Sequence, residues 1–286
     1  MSAPARSKSS ARRWIGIDFS GNHLQWRDGR AATAVWIAQI EQARHGPVLC
    51  DVRRVQDLPG DEPPFRRLVR FLRSADFTAA GIDAPFSPPA AYVPGGSRER
   101  LLAAVGKLAV PDRPFATGAQ LVGLLAPALA PRGRHVHRAT EQIWRRRGIN
   151  VRSVLWNGPR GGAPFAAACM TLQAELGLPA WPWDQGSERI LAETFPAAQL
   201  RTWDLPYYGY NDATIAAHRR RRVIIDGLAG RTGLTMPDAL RRTLRASADA
   251  LDSVVCALAA RALAASALAV PPDEASAVEG WIVVHR

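Results

Sequence analysis

The sequence predicts an α/β protein: a mixed sheet, an antiparallel meander plus parallel strands, flanked by helices and interrupted by a long insertion. Three observations predict it. Two short apolar runs, Trp14-Ile15-Gly16-Ile17-Asp18 and Ala79-Ala80-Gly81-Ile82-Asp83, end on Gly-Ile-Asp and then break, at Ser20-Gly21-Asn22 and at Pro85. Two alternating stretches follow the first run across turn residues. A helically spaced stretch precedes the second run.

Taken in order, Trp14, Ile15 and Ile17 suit a pleated core strand whose last residue is an acid. Asp28-Gly29 marks a turn. In 33–41, Ala34, Trp36, Ala38 and Ile40 share one face; His45-Gly46 turns the chain, and Val48, Cys50 and Val52 alternate in a third strand. Short turns between the three imply a meander. Asp61-Glu62-Pro63-Pro64 opens a helix with Phe65, Leu68, Val69 and Leu72 as its buried stripe. Strand–helix–strand connections cross over right-handed, so the strand ending on Asp83 should pair in parallel with an earlier one. Pairing with the first strand sets Asp83 beside Asp18 at one sheet edge, where open α/β sheets build their sites.

Residues 86–186 are punctuated by Pro88-Pro89, Pro94-Gly95-Gly96, Pro127, Pro131 and glycines from 158 to 162. They are expected as an insertion over one sheet edge, with a helix at 139–147. Arg138, Arg145 and Arg146 bring positive charge here, and Trp156, Trp181 and Trp183, with Trp203 beyond, bring rings. Such a mixture either grips phosphates and stacks bases or is a core beside a solvated helix face. A strand at 190–196 carries Glu193 near its end. After an aromatic loop at 207–212, a helix at 214–228 carries Arg219-Arg220-Arg221-Arg222. Four consecutive arginines cover more than one face, so one or two phosphate contacts are expected, with Arg219 and Arg222 as candidates. The last major helix starts at Ser247 and puts Asp249 and Asp252 on one face. Acids suit a helix's first turn for dipole reasons, but Asp252 sits amid Leu251, Val254, Val255 and Cys256. Trp281-Ile282-Val283-Val284 close the chain as a short strand.

With 286 residues and 47% hydrophobic content the chain can bury a large core, and no linker divides it. One domain over 13–286 is expected behind a disordered basic tail at 1–12, which lacks the apolar stretch of a signal peptide. Cys50, Cys169 and Cys256 are odd in number and too far apart for a metal knuckle, so a reduced, cytoplasmic setting is expected. The most apolar window, 251–270, holds Asp252 and Arg261 and is expected as a buried helix, with no membrane partner. The formal charge of +12 points to DNA or RNA. Nearly all of it is arginine, as an Arg- and Ala-rich proteome would also produce, so it supports that partner without establishing it.

Acids at two strand ends and a helix start carry the chemistry. Carboxylates converging without a counter-charge push one another's pKa up, and a divalent cation resolves the clash. Oxygen ligands without His or Cys favour Mg²⁺ or Mn²⁺ over zinc. Two such ions about 4 Å apart can activate a water and stabilise the leaving oxygen of a phosphodiester.

GIDFSG at 16–21, GIDAPFSPP at 81–89, ETFPAA at 193–198, DALDSVVCALAA at 249–260 and EGWIVV at 279–284 together resemble the domain of unknown function 429 family. That family is regarded as predicted nucleases of the RNase H fold. The resemblance implies an RNase H-like sheet and, through the RuvC-like resolvase branch, a metal set. In that set Asp18 and Asp83 are ligands, Asp252 is the essential acid of the final helix, and Asp249 lies one turn earlier. Glu193 is a further ligand candidate that the resolvase pattern does not require. The long insertion departs from a minimal RNase H domain. The expected function is a Mg²⁺- or Mn²⁺-dependent nuclease with two ions. The alternative is a non-catalytic nucleic-acid or nucleotide binder on the same fold. A third reading, from the sugar-kinase and actin group, is suggested by Asp18-Phe19-Ser20-Gly21; it needs duplicated domains and a late glycine-rich loop, for which only Gly227 and Gly230 are available.

Overall fold

The computed structural model describes residues 12–29, 35–108, 110–129 and 132–286. The tail at 1–11, Thr33, Ala34 and Pro131 lie outside them. Strands β1 (Arg13–Asp18), β2 (Trp36–Ala43) and β3 (Gly46–Arg54) form the meander. β4 (Ala79–Ile82) and β5 (Ile190–Glu193) extend it, in the order β3-β2-β1-β4-β5. β1 pairs antiparallel with β2 and parallel with β4, and β4 pairs parallel with β5. This is the RNase H-like mixed sheet. The register sets Gly16 against Gly81 and Ile17 against Ile82, and the Asp83 N–H donates to the Ile17 carbonyl at 3.0 Å. The two Gly-Ile-Asp ends therefore lie side by side.

One connection departs from the expected short turns. The link from β1 to β2 carries a 3-10 turn at His23–Trp26, and Trp26 packs edge-on against Phe19 and Phe65 at 5.1 and 5.2 Å. That apolar anchor keeps the longer link down on the sheet.

Side chains alternate across a strand, so the sheet has two faces to cover. Ile15, Ile17, Ala80 and Ile82 pack against α1 (Pro64–Ser74) and α5 (Ala163–Leu176). Trp14, Ala79, Ile190 and Ala192 pack against α9 (Ala248–Ala265), with α7 (Ile215–Thr232) and α8 (Asp238–Ala246) around it. Segment 86–186 thus does more than cover an edge, because α5 within it is a facing layer of the sheet. Leu101 of α2 (Arg98–Val105) and Leu121 of α3 (Gly118–Leu125) build a satellite core with Ala166 and Met170 of α5. The expected helix at 139–147 is α4 (Ala139–Arg146).

α9 comes down directly on the motif glycines. A Cβ on Gly16 would overlap the Ser253 carbonyl oxygen and the Ala257 nitrogen, and one on Gly81 would overlap the Cys256 carbonyl oxygen. Backbone can approach backbone this closely only where no side chain intervenes. The contact carries the first turn of α9 over the carboxyl ends of β1 and β4.

The expected strand at 190–196 ends early, because Pro196 opens α6 (Pro196–Thr202). Neither α6 nor α8 is anticipated by periodicity. The expected terminal strand is reduced to isolated bridges, Val283 with Thr194 and His285 with Leu268. The Ile282 N–H is taken by the Thr140 hydroxyl at 3.3 Å, which interrupts any ladder. No helix among the described residues is long and apolar enough to cross a membrane. The three cysteines are free, Cys50 exposed and the other two buried.

Candidate active site

Asp18 and Asp83 each follow by two residues a glycine that touches α9, so both carboxylates point to the α9 side of the sheet. Ser247 caps α9, its hydroxyl accepting the Ala250 N–H at 3.1 Å. Asp249 and Asp252 stand in the turn that follows. All four acids line one cleft of about 720 Å³. The segment after α4, residues 148–152, and the aromatic loop at 207–212 wall it.

The acids feel one another. Burial raises the Asp18 pKa well above the carboxylate range, and Asp252, Asp249 and Asp83 add to the rise. Asp252 is 8% exposed; burial and then Asp83 raise its pKa, while its hydrogen bond to Tyr210 opposes the rise. Burial raises Asp249 as well. Asp83 is pushed up to about 7, by burial first and Glu193 second, with Arg152 pulling it down. Asp18 and Asp83 keep an edge open to the cleft but lie on its floor, where protein replaces most of the solvating water. The Tyr210 hydroxyl donates to Asp252 Oδ1 at 2.8 Å, and burial together with Asp252 holds the phenol's proton in place. No salt bridge among the described residues joins any of the four aspartates to a base.

This donor set, all hard oxygen and short of counter-charge, fits a divalent cation such as Mg²⁺ or Mn²⁺ in chemistry and charge. Among the described residues no group of three or more His, Cys, Asp or Glu is arranged to hold a metal ion. The aspartates share a cleft and a field without forming a coordination shell.

Glu193 lines the same cleft but is committed elsewhere. Arg138 donates to both its oxygens, from Nη1 to Oε2 at 2.7 Å and from Nη2 to Oε1, and the Phe86 N–H donates to Oε2 at 2.9 Å. Arg138 also reaches Glu141 from Nε at 3.0 Å and the Glu279 carbonyl at 3.3 Å, and it is 1% exposed. Burial favours losing the guanidinium proton, but Glu193 and Glu141 outweigh it and raise the pKa. The structure therefore corrects two expectations. Glu193 is occupied by a counter-ion, and Arg138 is a buried brace between α4 and β5 instead of a surface phosphate contact. Glu279 completes the brace, its carboxylate accepting the Ala90 and Ala139 N–H groups at 2.9 and 2.6 Å.

The other arginines also sort differently from the sequence reading. Arg145, Arg146, Arg219 and Arg222 are exposed and lie outside the cleft lining. Within the run on α7, Arg220 and Arg221 turn toward the aromatic loop. Arg220 donates to the Gly209 carbonyl at 2.9 Å. Arg221, 2% exposed, donates to the carbonyls of Tyr210, Asp212 and, at 2.7 Å, Arg245. Trp181 and Trp203 are core residues, and Trp183 lies under the Arg98 guanidinium at 5.1 Å. The rings that line the cleft are Tyr207, Tyr208, Tyr210, Phe19, Phe165 and Phe195. Sequence reasoning missed Tyr210 and Arg152, which the folding of two loops brings to the aspartates. The only available signal was the aromatic character of 207–212.

Searches of the curated proteins and of the solved structures return no match to this chain. The model of the family described as Protein of unknown function (DUF429) matches residues 16–277, nearly the whole chain, and the protein belongs to that family.

Proposed function

We propose that the protein is a Mg²⁺- or Mn²⁺-dependent nuclease that hydrolyses phosphodiester bonds of DNA or RNA at the aspartate cleft. One observation carries this reading: Asp18, Asp83, Asp249 and Asp252, delivered by two strand ends and one helix start, share a cleft, and no salt bridge among the described residues joins any of them to a base. Asp18, Asp83 and Asp252 would hold the cations, with Asp249 beside them. A bound pair of such ions supplies an activated water and neutralises the leaving oxygen. Tyr210 orients the Asp252 carboxylate through its 2.8 Å hydrogen bond, and Arg152 brings positive charge to the Asp83 side, where a phosphate approaches. The brace of Arg138, Glu141 and Glu193 keeps β5 and α4 in register beside the site.

A second reading, a nucleic-acid or nucleotide binder without turnover, is favoured by the exposed Tyr208 ring and by Arg152, which line the same cleft and can engage a base and a phosphate without any cation. Labelled single- and double-stranded DNA and RNA, incubated with Mg²⁺, with Mn²⁺ or with chelator, separate the two. Cleavage with a cation and none with chelator is expected. Intact substrates under every condition would replace the nuclease by the binder.

A further inference from the structure

Beyond the aspartates, the two walls of the cleft present different groups. On one, Arg152 is exposed, lines the cleft and stands 5.9 Å over the Phe165 ring. It forms no salt bridge among the described residues, and its charge reaches Asp83. On the other, Tyr208 is 68% exposed and also lines the cleft. Its loop is pinned on the C-terminal side of the ring. Arg220 holds the Gly209 carbonyl, Arg221 holds those of Tyr210 and Asp212, and Asp252 accepts from the Tyr210 hydroxyl. Tyr207 closes edge-on against Tyr208 at 5.1 Å and is itself covered by Arg201 at 5.1 Å. Tyr208 is thus an aromatic plane presented to solvent on an anchored loop, open to a flat partner that stacks on it.

The shape of the site selects what that is. A cleft of about 720 Å³ is of the size that encloses a small ligand or a short piece of a polymer. Paired bases are stacked on each other and present only their edges, so they reach a protein ring only after being extruded. An unpaired strand offers a free base face and a phosphate together, and single-strand sites combine positive charge with aromatic platforms. We propose that the substrate enters the cleft as an unpaired nucleic-acid strand, with a base stacked on Tyr208 and a phosphate drawn by Arg152 toward the aspartates. This rests on the nucleic-acid reading above and names its substrate class.

Fluorescence anisotropy with a labelled oligothymidine of about 15 nucleotides, and with the same strand in a blunt duplex, tests it in Ca²⁺ buffer. The single strand should bind about tenfold or more tighter than the duplex. Tyr208→Ala should lose about tenfold of single-strand affinity while Tyr208→Phe retains it. Arg152→Gln should flatten the slope of log affinity against log salt by about 0.7, and Arg152→Lys should restore it. Both side chains are exposed, so unchanged melting curves will confirm folded variants. A duplex bound as tightly as the single strand, or wild-type affinity in Tyr208→Ala, overturns the proposal. Single-strand binding with no cleavage of any DNA or RNA form in Mg²⁺ or Mn²⁺ would remove the nuclease and leave this strand site standing. Cleavage confined to duplex would do the reverse, and no binding of either probe would overturn the strand site and leave the nuclease to the cleavage panel.

Discussion

Asp252→Asn is expected to lower cleavage by roughly 100-fold or more while leaving the fold and substrate affinity intact. The residue lies at the start of the helix that rests on Gly16 and Gly81, and its pKa is raised by burial and by Asp83. Asparagine is nearly isosteric, and its side-chain oxygen can still accept from Tyr210, so the packing of α9 should survive. What disappears is a negative charge that a cation needs. Binding of uncut strand should stay the same or tighten, because repulsion of phosphate falls. Asp249→Asn should act in the same direction and more mildly, since Asp249 is less deeply buried. Single-turnover cleavage beside anisotropy on the same variant separates the two effects. Full cleavage in Asp252→Asn would assign the activity to another site.

The second large effect is on stability. Arg138→Met should destabilise the protein by about 3–5 kcal/mol, because it strands Glu193 and Glu141, 3% and 1% exposed, without their counter-charge. At about 2–4 °C per kcal/mol for a chain of this size class, the melting midpoint should fall on the order of 10 °C. Glu193→Gln should cost less, because Arg138 retains Glu141 and the Glu279 carbonyl. The comparison also distinguishes a brace from a ligand. If Glu193 serves structure, Glu193→Gln lowers the midpoint and leaves Mn²⁺ affinity unchanged.

How much of this was legible in the chain depends on where the information lies. The sheet was legible because its signals are local: alternation in β2 and β3, a helical stripe in α1, and a right-handed crossover that leaves few partners for β4. The pairing of Asp18 with Asp83 followed from that topology. The motif glycines were visible, but their reason was not, since it lies in the backbone of α9 more than 170 positions away. Glu193 and Arg138 were misread for a related cause. A buried acid looks like a ligand until the residue that neutralises it is known, and Arg138 is 55 positions away. The spacing of the arginine run implies more than one helical face but not which face is covered, and Arg221 is the one buried once α7 packs on the aromatic loop. Arg152 and Tyr210 lie in loops whose course neither periodicity nor capping specifies.

The central claim is that the aspartate cleft takes a divalent cation, and calorimetric titration of Mn²⁺ into the 286-residue protein tests it most directly. Asp83 holds its proton up to about pH 7, so protons compete with the metal, and binding should be stronger at about pH 8 than at about pH 6. Saturable binding that is lost or greatly weakened in Asp18→Asn, with the melting curve of the variant otherwise unchanged, is the predicted result. No binding by the wild type, or equal binding by Asp18→Asn, would contradict it.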